Sequence, residues 1–350
     1  MINFNLNKLI RPNVAALQPY SSARDEFTDF DTEMVFLDAN ENPFNNGVNR
    51  YPDPQQRDLK TLIAAQREVS VSNILLGNGS DEVLDLLFRA FCIPGHDNVI
   101  TLPPTYGMYK VLSVVNDIEN REVMLLDTFQ PDVSAILETI DSSTKLLFIC
   151  SPNNPTSNLI SAAAIVQLLE AFAGLVVIDE AYIDFAAAES WVSQLENYPN
   201  LIVTQTLSKA YGMAGIRLGL AFASSEIISV LNKIKPPYNV NTLTQSKAYE
   251  RLSQKDGVAQ EINAILTERV KLSTALKGIS YITKVYPSDA NFILCKLDDA
   301  TLRYDQLLQK GIVVRNRSKQ ALCESTLRFT VGTPAENKQL ITALKSIQNG

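Results

Sequence analysis

Histidine is almost missing from this chain: one residue, His96, among 350. It lies in the turn Pro94-Gly95-His96-Asp97. A single imidazole cannot assemble a Ser-His-Asp triad, a Cys-His pair or a multi-histidine zinc centre, so no metal is expected. Cysteine is scarce and scattered. Cys92, Cys150, Cys295 and Cys323 lie far apart, mostly in apolar runs, and read as buried free thiols of a reducing compartment. Basic excess is also lacking: 31 Lys and Arg against 38 Asp and Glu give a formal net charge of −7. That balance argues against a nucleic-acid surface. No apolar run approaches the roughly 20 residues of a membrane span. Met1 to Ile10 lacks the charged-then-apolar pattern of a signal peptide, so a cytoplasmic protein is expected. There is no internal repeat and no low-complexity stretch.

What is present is an ordinary globular composition, 46% apolar and 20% charged. The length suits one large and one smaller domain. Apolar runs at Ile74-Leu75-Leu76, Val99-Ile100, Leu146-Leu147-Phe148-Ile149, Leu175-Val176-Val177-Ile178 and Leu201-Ile202-Val203 alternate with helical patterns. Continuous apolar strands separated by helices predict an α/β fold, a mostly parallel sheet flanked by helices. A short strand is also expected at Val35-Phe36-Leu37. Residues 35–279 form the predicted large domain. Residues 280–350 form a smaller α+β domain, with strands at 291–295, 312–314 and 327–331. Residues 1–34 are expected to pack with that smaller domain.

Ligands of such sheets gather beyond the carboxyl ends of the strands, and polar segments occupy that position here. The run from Thr206 to Gly219 follows one of these strands and holds Ser208, Lys209 and Arg217. A desolvated lysine can lose its proton and join an aldehyde, and a hydroxyl with an arginine suits a neighbouring anion. An aldehyde that carries a phosphate is pyridoxal 5′-phosphate. A solvated loop lysine with an ordinary surface arginine is the other reading of the same stretch. Asp179 ends a strand, where a carboxylate is costly unless paired, and a protonated pyridine nitrogen suits it; it also reads as a helix cap. Tyr182 and Asn154 can reach a phenolic oxygen, or serve as core packing and a turn former. Gly77-Asn78-Gly79-Ser80-Asp81 joins strand to helix, where glycines and free N–H groups accept a phosphate. Tyr106 can stack on a ring or fill the core.

Taken together, these segments resemble the fold type I pyridoxal-phosphate-dependent aminotransferases, and within them the subgroup acting on histidinol phosphate. The resemblance spans nearly the full length. It is carried by Ile10-Arg11-Pro12 with Pro19-Tyr20, Leu37 to Pro43, Arg50-Tyr51-Pro52-Asp53 and Gly79-Ser80-Asp81-Glu82. It continues through Pro104-Thr105-Tyr106-Gly107-Met108-Tyr109, Ser151 to Thr156, Asp179-Glu180-Ala181-Tyr182, Thr206 to Gly219 and Leu327 to Gly332.

The resemblance implies that Lys209 binds the cofactor covalently and carries the proton. It implies that Asp179 pairs with the pyridine nitrogen, Tyr182 and Asn154 face the phenolic oxygen, and Tyr106 stacks on the ring. The phosphate is then held by Gly79, Ser80, Asp81, Ser208, Arg217 and Tyr51 of the partner subunit. Tyr20, Asn42, Arg315 and Arg328 match substrate-binding positions. The implied reaction passes an amino group from glutamate to imidazole-acetol phosphate, giving histidinol phosphate and 2-oxoglutarate, in a homodimer. An aromatic or general amino-acid aminotransferase and a phospho-amino-acid decarboxylase are the rival activities. One departure stands out. Ser157 replaces the glycine common after Asn-Pro-Thr, and serine is strained if that position needs positive φ.

Overall fold

The computed structural model describes residues 4–20 and 35–348. The parts of the N-terminal segment at 1–3 and 21–34 lie outside them. Seven strands form the principal sheet: β1 (Ile74–Gly77), β2 (Asn98–Thr101), β3 (Glu119–Glu122), β4 (Thr144–Cys150), β5 (Leu175–Asp179), β6 (Leu201–Thr206) and β7 (Gly219–Ala223). Their order is β1-β7-β6-β5-β4-β2-β3. The pairs from β6 across to β3 are parallel, while β7 runs antiparallel to both β1 and β6. Every residue of β5, β6 and β7 is buried, because helices cover both faces and leave a core on each.

Register places the site. Cys150 pairs with Asp179, and Asp179 with Thr204, so β4, β5 and β6 reach one edge together. Gly77 pairs with Gly219 at the same edge, where β1 ends and β7 begins. Each polar segment that follows a strand there starts within a few residues of its neighbours.

A second, fully antiparallel sheet holds β8 (Ile282–Val285), β9 (Phe292–Leu297), β10 (Arg315–Asn316) and β11 (Thr326–Thr330), in the order β10-β11-β9-β8. Leu272, Leu276, Leu307, Leu340 and Leu344 pack on it from the helices Lys255–Lys277, Ala300–Gln309 and Pro334–Gln348. A small cluster of Tyr182, Phe185, Ala210, Ala290 and Phe292 joins the two sheets.

Three local expectations differ from the structure. Residues 4–16 pack on the large sheet's helices and not on the small sheet. Leu9 and Val14 enter the core with Phe88, Phe91, Ile227 and Leu231, and the Arg11 amide donates to the Ala90 carbonyl at 3.0 Å. The apolar surface they need lies there. Val35-Phe36-Leu37 is not a strand, and Val35 and Leu37 are exposed. The strand expected at 312–314 begins only at Arg315, because the Ile312 amide is taken by the Leu307 carbonyl at the end of a helix.

Among the described residues, no helix is long and apolar enough to cross a membrane, and no group of His, Cys, Asp or Glu could hold a metal. All four cysteines are free and buried.

Candidate active site

Asp179, at the end of β5, is 3% exposed. The Tyr109 hydroxyl donates to its Oδ2 at 2.7 Å and the Ala181 amide to its Oδ1 at 3.1 Å. Burial raises its pKa, and those two donors oppose the rise. Tyr109 is itself fully buried, stacked on Phe148 with centroids 4.9 Å apart. The sequence reading assigned Tyr109 no role of its own. It lies three residues beyond Tyr106, and the two rings meet edge to face at 5.6 Å; that helical spacing was the available signal.

Between β1 and the helix Ser80–Phe91, Gly79 adopts φ +84° and makes no side-chain cap, so the helix begins with its amides uncovered by a capping oxygen. A Cβ on Gly79 would lie 2.6 Å from Arg217 Nη2, and one on Gly219 would lie 2.1 Å from the Ser80 amide nitrogen. Only glycines let the turn, β7 and the guanidinium approach this closely. Asp81, in the first helical turn, accepts from the Tyr106 hydroxyl at 3.1 Å and lies 3.8 Å from Arg217.

Beyond β6, the Thr206 and Ser208 hydroxyls share a hydrogen bond of 3.0 Å, and the Leu207 amide bonds Leu218 O to close the loop. Lys209 Nζ stands 5.6 Å from the centroid of the Tyr182 ring. Its pKa is lowered by partial burial and then by the charge of Arg328. Asn154, after β4, donates to the Tyr182 hydroxyl at 3.4 Å and accepts from Arg328 Nη1 at 2.5 Å. Burial pushes the Tyr182 and Tyr106 hydroxyls up.

One cavity of about 150 Å³ is lined by Ser80, Asp81, Tyr106, Asn154, Asp179, Tyr182, Ser208, Lys209 and Arg217, with Cys150, Ala181, Thr206 and Ala214. Gly79 stands behind Arg217. Arg328 reaches the cavity wall through Asn154, and Arg315 pairs with Arg328 across the small sheet. Besides Gly79, Arg315 and Arg328, which also do not line it, three more expected residues stand outside this cavity within one chain. Tyr51 is 52% exposed and stacks on Tyr238. Tyr20 is 73% exposed. Asn42 is exposed, its side chain accepting from the Phe44 amide at 2.9 Å.

Ser157 does adopt positive φ, +66°, and is fully buried. Its hydroxyl lies 3.1 Å from the Pro287 carbonyl, and its own carbonyl accepts from the Asp289 amide at 2.7 Å. The hydroxyl has a shorter acceptor in the Thr156 carbonyl, at 2.6 Å, so the tie between the Asn154 loop and the segment entering β9 runs through the Ser157 backbone carbonyl.

An amine whose pKa is lowered, a buried carboxylate and a glycine-lined helix N-terminus, set at the edge of a mostly parallel sheet, suit one class: an enzyme built around an aldehyde cofactor bearing a phosphate. Comparison with known proteins agrees. The pattern of the family "Aminotransferase class I and II" matches residues 26–344. The histidinol-phosphate aminotransferase of Flavobacterium johnsoniae is 61% identical over 346 residues, 99% of each chain. That of Christiangramia forsetii is also 61% identical, over 349 residues and the whole of both chains. The crystal structure of the histidinol-phosphate aminotransferase from Clostridium acetobutylicum superposes with a TM-score of 0.80 at 26% identity, covering 86% of this chain and 91% of that one. The chain belongs to the class I and II aminotransferases and, within them, to the histidinol-phosphate aminotransferases.

The cofactor of this family is pyridoxal 5′-phosphate, and the cavity fits it. Asp179 has no cationic partner among the described residues, which leaves its carboxylate for a pyridinium. The uncapped helix N-terminus at Ser80, beside Arg217 and Ser208 on the cavity wall, suits the phosphate.

Proposed function

We propose that this enzyme passes an amino group from glutamate to imidazole-acetol phosphate, giving histidinol phosphate and 2-oxoglutarate. When bound, the cofactor supplies an electron-withdrawing ring that stabilises negative charge on the substrate carbon. Lys209 binds it covalently and then moves the proton at the substrate Cα, a task suited to an amine whose pKa is lowered. Asp179 holds the proton on the ring nitrogen, and the Tyr109 hydroxyl fixes the carboxylate's orientation. Tyr182 and Asn154 serve the phenolic oxygen, and Tyr106 covers the ring. Ser80, Asp81, Ser208 and Arg217 hold the phosphate at the Gly79 turn.

The observation that carries the substrate assignment is Arg328 bound to Asn154 at 2.5 Å, which ties a guanidinium of the small sheet to the cavity wall. With Arg315, Tyr20 and Asn42 it receives the substrate's anionic end, carboxylate or phosphate in turn. Tyr51 of the partner subunit completes the cofactor phosphate site in a homodimer. Exposed Val48 and Leu243 beside Tyr51 support a second copy on that face. The four free thiols support a reducing cytoplasm.

The test is a half-reaction assay on purified holoenzyme with glutamate, histidinol phosphate or phenylalanine, following the cofactor's visible absorbance. Glutamate and histidinol phosphate should each convert it. Conversion by phenylalanine alone selects the aromatic aminotransferase, and release of carbon dioxide selects the decarboxylase.

A further inference from the structure

In the small sheet, antiparallel register sets Arg315 opposite Arg328, and the Arg317 amide continues the ladder onto the Thr326 carbonyl at 3.0 Å. Alternation along an extended strand places Arg317 on the same face as Arg315, so three guanidiniums share one side of a narrow ribbon. Like charges facing each other weaken a sheet, and a buried cation is costly unless paired. Yet none of the three forms an ion pair among the described residues. Arg328 lies over the Phe292 ring at 4.9 Å and has the neutral Asn154 oxygen as its acceptor, and the Nε atoms of Arg317 and Arg328 are enclosed with no acceptor. Burial, Arg328 and Arg315 together lower the Arg317 guanidinium to about 10. Arg317 thus shares the face from which Arg328 reaches Asn154 on the cavity wall.

Three cations gathered with no carboxylate are arranged for an anion that arrives and leaves. A phosphate brings nearly two charges and three acceptor oxygens, against one charge for a carboxylate. We propose that Arg317 is a substrate-binding residue that selects the phosphate-bearing substrate, donating to the phosphate while Arg328 serves either anion. This assignment rests on the reaction proposed above and adds to it the group that tells its two amino donors apart.

The test compares wild type, Arg317→Gln and Arg317→Lys as holoenzymes in the separate half-reactions. In Arg317→Gln, kcat/KM for histidinol phosphate should fall roughly 10- to 100-fold, mainly through KM, while glutamate stays within about twofold. Arg317→Lys should lie between. The loss should be larger at pH 8 than at pH 5.5, because the phosphate gains its second charge near pH 6. Inorganic phosphate should compete with histidinol phosphate in wild type, and about tenfold more weakly in Arg317→Gln. Equal losses for both donors, no loss for histidinol phosphate, or a loss independent of pH would overturn the proposal. If Arg317→Gln fails to fold, Arg317→Lys decides by the same donor comparison. If wild type does not use histidinol phosphate at all, the reaction is wrong, and the change in inorganic phosphate inhibition still decides Arg317.

Discussion

In the cavity at the edge of the large sheet, Asp179 receives the Tyr109 hydroxyl and the Ala181 amide, and Asp81 receives the Tyr106 hydroxyl beside Arg217. On the small sheet, Arg315, Arg317 and Arg328 face one another with no carboxylate among them. The cavity's polar groups are held in place before anything binds, as suits a cofactor that stays through every turnover. The ribbon's cations have no anionic partner among the described residues, as suits a substrate anion that must be released and replaced. Preorganised partners fix a resident group, whereas unspent charge serves a passing one.

The comparison breaks most severely at Lys209. Lys209→Ala should lose turnover by several orders of magnitude, because covalent attachment and the proton shift use the same amine. Borohydride reduction of the wild type should fix the cofactor to the peptide containing Lys209, and a label on another lysine would remove the proposed centre. Next comes the held carboxylate. Asp179→Asn should lower kcat at least about a hundredfold, since it removes the charge facing the ring nitrogen. Tyr109→Phe keeps that charge and loses only its anchor, so a fall of about tenfold is expected. Equal effects in the two variants would make Asp179 a structural residue.

The ribbon gives a smaller and differently shaped response. Arg328→Lys retains the cation and loses the fork, so histidinol phosphate and glutamate should both suffer by roughly 10- to 300-fold. Steady-state comparison of the two donors checks this, and a loss confined to one of them would show that Arg328 does not serve both anions.

The smallest effect separates a cation set out for a ligand from one merely sealed in. Lys60 is 4% exposed, and burial and Lys235 lower its pKa to about 8. With the folded value below the ordinary 10.5, its contribution to stability is complete above that value and is lost as pH falls through 8. Lys60→Met should therefore raise the thermal midpoint at pH 7 by on the order of 2–4 °C. It should also flatten the stability profile between pH 8 and 10.5 and leave both half-reactions unchanged. Calorimetry across that range checks it; a lower midpoint at pH 7 would mean that Lys60 is stabilising as a cation.

The principal sheet was legible because β4, β5 and β6 are buried on both faces and so read as unbroken apolar runs. Their polar sequels, Asn154, Asp179 and Lys209, marked the edge at which the cavity forms. The antiparallel direction of β7 was not legible, since periodicity carries no sign. Val35-Phe36-Leu37 and Ile312-Val313-Val314 looked like strands by composition, but strand formation depends on a neighbour and on amides left free by the preceding turn. Tyr109 and Arg317 escaped notice for a related reason. Tyr109 meets Asp179 across 70 positions, and Arg317 joins its two companions only through the ladder between β10 and β11. Tyr20, Asn42 and Tyr51 were read from resemblance alone, and within one chain they stand away from the cavity.

The direct measurement is the wild-type ratio of kcat/KM for histidinol phosphate to that for unphosphorylated histidinol, two donors that differ only in the phosphate. If unpaired arginines await a dianion, the ratio should be at least about a hundredfold at pH 8 and shrink as the phosphate loses charge below pH 6. A ratio near one at both pH values would contradict the assignment of those arginines to the substrate phosphate.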